Sequence, residues 1–152
     1  MAISVFPTPV VSTTDTWTLI DSRTPTSGTS VSFTSISGYK TLMLAFKSLT
    51  TSANSYLVVR INNDNASGKY GFEGSLATEM LVGTNNGSRA GAMVIYDANQ
   101  SATHKIDLTY YTGTTLATGF YTDAVAITRV DLISRESQTF TGGTVYLYGI
   151  AA

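Results

Sequence analysis

Apolar and polar residues alternate along most of this chain. In KTLMLAFKS, residues 40–48, the side chains of Leu42, Leu44 and Phe46 fall on one face of an extended strand. SYLVVRIN and HKIDLTYY repeat this period of two, and clusters of Gly, Asn, Asp and Ser separate such segments as turns do. The helix candidate is GFEGSLATEMLVG, residues 71–83, which has room for little more than two turns. Eight to ten strands spaced by about 8–12 residues predict an all-β fold, an antiparallel β-sandwich of jelly-roll-like type.

The pattern changes at the N-terminus. Residues 15–152 read as a single β-sandwich domain, whereas residues 1–14 are apolar and are interrupted by Pro7 and Pro9. Because proline does not suit a central strand, we expect these first residues to form an extended arm that lies on a neighbouring molecule. The apolar arm residues expected at this interface are Val5, Phe6, Val10 and Val11.

The segment TVYLYGI, residues 144–150, is apolar on both faces of a predicted strand. Tyr146, Tyr148 and Ile150 share the face on which a half-exposed strand would carry Thr, Lys or Ser. A large aromatic side chain buries about 150–250 Å² and stays exposed only at a cost. We therefore expect this face to be covered, either by the second layer of the domain or by a neighbouring subunit of a closed homo-oligomer, with a trimer as the working expectation.

The composition of the chain argues against several classes of binding function. Only 12% of residues are charged, about half the usual share, and the net charge is −1. Such a chain has neither the basic patch that binds a nucleic-acid backbone nor the polybasic segment that binds anionic lipid. It contains no cysteine, so disulfides and thiolate metal sites are excluded. We expect no nucleic-acid and no membrane partner.

No pattern of residues indicates an enzyme. His104 is the single histidine, and the strained turn of a serine nucleophile is missing. The loop NNDNASG resembles a calcium loop only faintly, because Asp64 is its sole carboxylate. Glu73 and Glu79 could act as an acid–base pair only if the fold brought them to one pocket. We expect no catalytic, cofactor-binding or metal-binding residue, and no cofactor.

Aromatic residues leave one binding alternative open. Flat apolar rings suit the faces of sugar rings, although most aromatic side chains are expected in the core or at interfaces. The candidate glycan contacts are Tyr70, Phe72, Tyr111 and Tyr121.

Four segments, in order along nearly the whole chain, resemble a family of small jelly-roll virion proteins of tailed, often marine, bacteriophages. They are FTSISGYKTL (33–42), LVVRINNDNASGKY (57–70), AITRVDL (126–132) and FTGGTVYLYGI (140–150). The last segment matches the family ending F-x-x-G-[ST]-x-x-L-Y-G-I. This chain has Asn63 where relatives often have glycine, which predicts a different turn at that position.

The resemblance implies a structural protein of the virion, assembled in the host cytoplasm. The family includes capsid decoration proteins, head fibres, tail fibres and baseplate parts, and its motifs are structural rather than catalytic. We expect a decoration (cement) protein that binds the major capsid protein and reinforces the head. The alternative is a tail-fibre, head-fibre or baseplate component that binds a host surface polysaccharide.

Overall fold

The computed structural model describes residues 15–72, 75–83, 87–101, 105–111 and 115–152, with the backbone alone at 72, 75–76, 105–111 and 115–118. This part of the chain is all β. Its strands are β1 (Thr18–Arg23), β2 (Ser30–Thr34), β3 (Tyr39–Thr51), β4 (Leu57–Ile61), β5 (Tyr70–Phe72), β6 (Ser75–Ala77), β7 (Met80–Gly83), β8 (Arg89–Ile95), β9 (Lys105–Tyr111), β10 (Thr115–Tyr121), β11 (Arg129–Ser134) and β12 (Phe140–Ala151).

The strands form two antiparallel sheets that share one core, so the predicted antiparallel β-sandwich is confirmed. The large sheet has the order β1-β12-β3-β8-β9-β10-β5-β6, and the small sheet has the order β2-β11-β4-β7. The strand count exceeds the expected eight to ten because the described residues of 71–83 do not form the candidate helix. Apart from a bend at Thr78 and Glu79, they belong instead to the short strands β5, β6 and β7.

The core follows the alternation that the sequence predicts. Leu42 and Leu44 of β3 are fully buried, as are Leu57, Val59 and Ile61 of β4. The small sheet adds inward residues of β2 and β11 to the same cluster. Because each inward position is followed by an outward one, both sheets have one face on this core and one face directed away from it.

Strand β12 lies inside the large sheet, between β1 and β3. Its register shifts on both sides of Gly142, and Gly143 has a φ of +97° in this bulge. A Cβ at Gly143 would lie 2.5 Å from the Ser48 carbonyl oxygen, and one at Gly149 would lie 2.4 Å from Cδ1 of Tyr39. Glycine is therefore required twice in this strand, once for backbone conformation and once for the close approach of a ring.

A tight turn after β4 is hydrogen-bonded to the start of β11, the neighbouring strand of the small sheet. Asn62 and Asn63 have φ values of 52° and 57°, and the Asp64 N–H donates to the Ile61 carbonyl at 2.9 Å. Oδ1 of Asn62 accepts from the backbone N–H groups of Thr128 (2.8 Å) and Arg129 (3.1 Å). Asn63 occupies a backbone region that glycine also favours, and the expectation of a turn different from that of relatives stays a prediction.

Candidate interaction surfaces

The residues Tyr146, Tyr148 and Ile150 of β12 lie on the face of the large sheet that is turned away from the core. Their neighbours Val145 and Leu147 are fully buried and belong to the core cluster. The second sheet packs on that inner side, so it does not cover the tyrosines. The expectation that the second layer of the domain covers this face is therefore wrong.

The apolar character of this surface extends onto the neighbouring strands. Tyr148 pairs with Leu19 of β1 on one side and with Met43 of β3 on the other, and Met43 pairs with Val94 of β8. Directly paired residues of antiparallel strands share a face. We call this surface the tyrosine face; it consists of Leu19, Ser22, Thr41, Met43, Ala45, Ala92, Val94, Tyr146, Tyr148 and Ile150.

The tyrosine face is half-buried by its own neighbours. The rings of Tyr146 and Tyr148 stack with their centroids 6.1 Å apart and an interplanar angle of 28°. Leu19, on the edge strand, is 49% exposed, while Met43 and Val94 are half-buried. None of the ten residues that define this face is charged. Lys47 lies beyond Ala45, at one end of the face. A surface of stacked rings and aliphatic side chains is typical of the core of a protein–protein interface.

The expected arm residues Val5, Phe6, Val10 and Val11 lie outside the described part of the chain. The description starts at Asp15, whose carboxylate forms a 2.5 Å ion pair with Lys40 at the start of β3. Trp17, just before β1, is 41% exposed. The first described residues thus lead into the edge strand β1, which contributes Leu19 to the tyrosine face.

The expected glycan contacts are not supported where the structure describes them. Tyr70 and Tyr121 are 0% and 1% exposed, and their rings pack together at a centroid distance of 5.0 Å. The Tyr70 hydroxyl donates to the Asp64 carbonyl at 2.8 Å and accepts from the Ile61 N–H at 2.9 Å. Both rings are therefore core residues. The side chains of Phe72 and Tyr111 lie outside the described residues, although both positions are in strands.

Two carboxylates that the sequence did not place together, Asp64 in the loop after β4 and Asp123 just after β10, share a partner in Tyr121. The Tyr121 hydroxyl donates to Asp64 at 3.0 Å and lies 3.3 Å from Asp123. Lys69 forms an ion pair with Asp123, which raises the pKa of Lys69 and lowers the pKa of Asp123. Burial raises the pKa of Tyr70 and Tyr121, so both hydroxyls stay protonated. The ammonium group of Lys69 compensates the charge of Asp123, while Asp64 accepts a hydrogen bond from the Tyr121 hydroxyl.

Two further candidates for chemistry, His104 and Glu73, lie outside the described residues. Glu79 is described, and its carboxylate accepts from Arg60 at 3.1 Å and from Nε of Arg135 at 2.6 Å. Within the described ranges, no three His, Cys, Asp or Glu side chains are close enough to hold a metal ion. Glu79 is thus an ion-pair partner of arginines here.

Neither sequence nor fold comparison adds a relative. No protein-family model, curated protein or solved structure matches this chain. In the part of the chain that the structure describes, no helix is long and apolar enough to cross a membrane.

Proposed function

We propose that this chain is a structural virion protein of a tailed bacteriophage, and that it is a capsid decoration protein that binds and reinforces the head surface. The observation that carries the proposal is the tyrosine face, an apolar outer surface that the second sheet of the sandwich does not cover. The sequence resemblance supplies the virion setting and the jelly-roll connectivity, both of which belong to the proposal.

The tyrosine face suits a permanent contact better than a solvated surface. Tyrosine and methionine are enriched in interface cores, where the ring is buried and the hydroxyl finds a partner at the rim. The partner is the major capsid protein, another virion protein or a further copy of this chain in a homo-oligomer. Residues 1–14 precede β1 in the chain, and as the expected arm they supply the further apolar residues named above.

Particle occupancy tests the proposal. We expect the wild-type chain on phage heads, in a fixed ratio to the major capsid protein. The double variant Tyr146→Ser/Tyr148→Ser should fold but be lost from heads, because its outer face no longer excludes water. Tyr56→Ser is the matched control, since Tyr56 is 42% exposed but lies just before β4 of the other sheet.

The location of the chain separates the proposal from its alternative. If only a few copies were found, on the tail or on fibres, the decoration proposal would be wrong and the fibre or baseplate function would take its place. Full head occupancy of the double variant would show that the tyrosine face does not take part in the contact with the head. Deletion of residues 2–14 tests the arm separately, and full occupancy without it would exclude the arm from binding.

A further inference from the structure

The small sheet has a cleft on its outer side, away from both the core and the tyrosine face. The cleft has a volume of about 220 Å³ and is lined by Tyr56, Val58, Ala77, Glu79, Leu81 and Arg135. Val58 is buried and forms its apolar floor, whereas the ring of Tyr56 is 42% exposed. An exposed ring therefore stands beside an apolar floor and two charged groups.

The polar groups of the cleft are held in place. The Arg135 N–H donates to the Tyr56 carbonyl at 3.0 Å, which joins the two segments that carry the side chains. Glu79 binds the guanidinium of Arg135 at 2.6 Å and that of Arg60 at 3.1 Å, and the Glu79 side chain is only 9% exposed. Because Glu79 fixes Arg135, a ligand need not order that side chain on binding.

The charges around the cleft balance. Arg60 and Arg135 contribute two positive charges, and Glu79 and Glu136 contribute two negative charges, with Glu136 accepting from the Tyr56 N–H at 3.3 Å. A balanced cleft gives no net attraction to an anionic ligand. Guanidinium donors and carboxylate acceptors next to each other match hydroxyl groups, which both donate and accept.

We propose that this cleft binds a single neutral sugar ring, with the apolar face of the pyranose on Tyr56 and its hydroxyls on Arg135 and Glu79. The volume lies below the roughly 300–1,000 Å³ of pockets for drug-sized ligands, which suits one ring and not a larger molecule. This inference does not rest on the virion proposal, because none of the residues that line the cleft belongs to the tyrosine face.

Titration of the purified full chain with single sugars, followed by NMR, tests the inference. The probes are glucose, galactose, mannose and N-acetylglucosamine, with glucuronate as the anionic comparison. We expect at least one neutral sugar to shift the signals of residues 56, 77–81 and 135, with a dissociation constant on the order of millimolar. Glucuronate should bind no more tightly than the neutral sugars.

Variants connect the signal to the cleft. Tyr56→Ala should weaken binding about tenfold or more, whereas Tyr56→Phe keeps the ring and should keep most of the affinity. Glu79→Gln should weaken binding because Arg135 loses its charged partner. Tyr96→Ala is the matched control, since Tyr96 is 45% exposed, follows β8 of the large sheet and does not line the cleft; it should leave binding unchanged.

Several outcomes would overturn the inference. They are the absence of shifts at these residues for every neutral sugar up to roughly 100 mM, shifts that survive Tyr56→Ala, an equal loss with Tyr96→Ala, and tighter binding of glucuronate. None of these outcomes bears on head occupancy, so the two proposals fail independently.

Discussion

The outer faces of the two sheets share one sandwich but differ in chemistry. The tyrosine face carries stacked rings and aliphatic side chains, whereas the outer face of the small sheet carries Arg60, Glu79, Arg129, Asp131 and Arg135. We call the latter the charged face. Its arginines pair with carboxylates, as in the 2.8 Å pair of Arg129 with Asp131. Both faces alternate with core positions at the same period, so the difference lies in residue choice and not in backbone geometry.

This difference indicates separate environments for the two faces. Paired charges keep the outer side of the small sheet compatible with water, because each buried carboxylate has a partner. The residues of the tyrosine face form no such pairs. Covering this apolar face with another surface lowers the free energy. The predictions below, from the largest effect to the smallest, test whether the two faces act separately.

Removal of β12 should abolish both the core and the tyrosine face. Truncation after Gly143 deletes the buried Val145 and Leu147 together with the tyrosines, and it leaves β1 and β3 without the strand between them. We expect no cooperative thermal unfolding transition by circular dichroism. A soluble truncated monomer with an unchanged Tm would contradict the placement of β12.

Substitutions on the two sides of β12 should separate folding from association. Leu147→Ala creates a cavity in the core and should lower the free energy of unfolding by about 2–5 kcal/mol. Tyr148→Ala, next to it but half-buried, should lower it by only about 1 kcal/mol in the monomer. Denaturant titration measures both changes. Equal losses in a monomeric sample would place Tyr148 in the core.

The charged face should depend on its ion pairs. The Asp131 side chain is 3% exposed and accepts from Nε of Arg129 with both oxygens, at 2.9 and 2.8 Å. Asp131→Asn weakens this pair in a buried position and should cost about 1–2 kcal/mol of unfolding free energy. Chemical denaturation measures this loss of unfolding free energy. The same variant should leave association through the tyrosine face unchanged, and a shift in oligomeric state would show that the faces are coupled.

The pH dependence should come in part from the ion pair of Lys69, in the loop after β4, with Asp123, just after β10, and not from the tyrosine face. The lowered pKa of Asp123 contributes stability that is present above the unfolded value of 3.8 and is lost as pH falls through the folded pKa. The raised pKa of Lys69 contributes stability that is present below 10.5 and is lost as pH rises through the folded pKa.

Lys69→Met removes the ion pair and should flatten both the acid and the alkaline limb of a Tm-versus-pH profile. Tyr148→Ala serves as the comparison and should lower the profile without changing its shape. An unchanged profile for Lys69→Met would exclude this ion pair as a source of the pH dependence.

The sequence was sufficient where a signal is local. The alternation of Leu42, Leu44 and Phe46 predicted a core face, and the sandwich followed from the number and spacing of such strands. Residues 71–83 were misread because their apolar residues are too few to distinguish a short helix from short strands. The described residues there depend on pairing with β4 and β10, which lie elsewhere in the chain.

The candidate surfaces depend on contacts between distant segments. Tyr70 and Tyr121 looked available for a sugar, but their hydroxyls find partners in the turn around Asp64, which no local pattern predicts. Conversely, Tyr56 and Arg135 are far apart in sequence and meet only because β4 pairs with β11. The tyrosine face was predicted from β12 alone; its extension to Met43 and Val94 requires the register.

The position of β12 also constrains how the molecule folds. It is the last of the described strands along the chain, yet it pairs with β1, the first, and with β3. A ribosome must therefore synthesise the chain through β12 before β1 can join its sheet. Such long-range pairing has a high contact order, which slows folding and leaves apolar strands unpaired in the meantime. We expect the nascent chain to need protection from aggregation until β12 emerges.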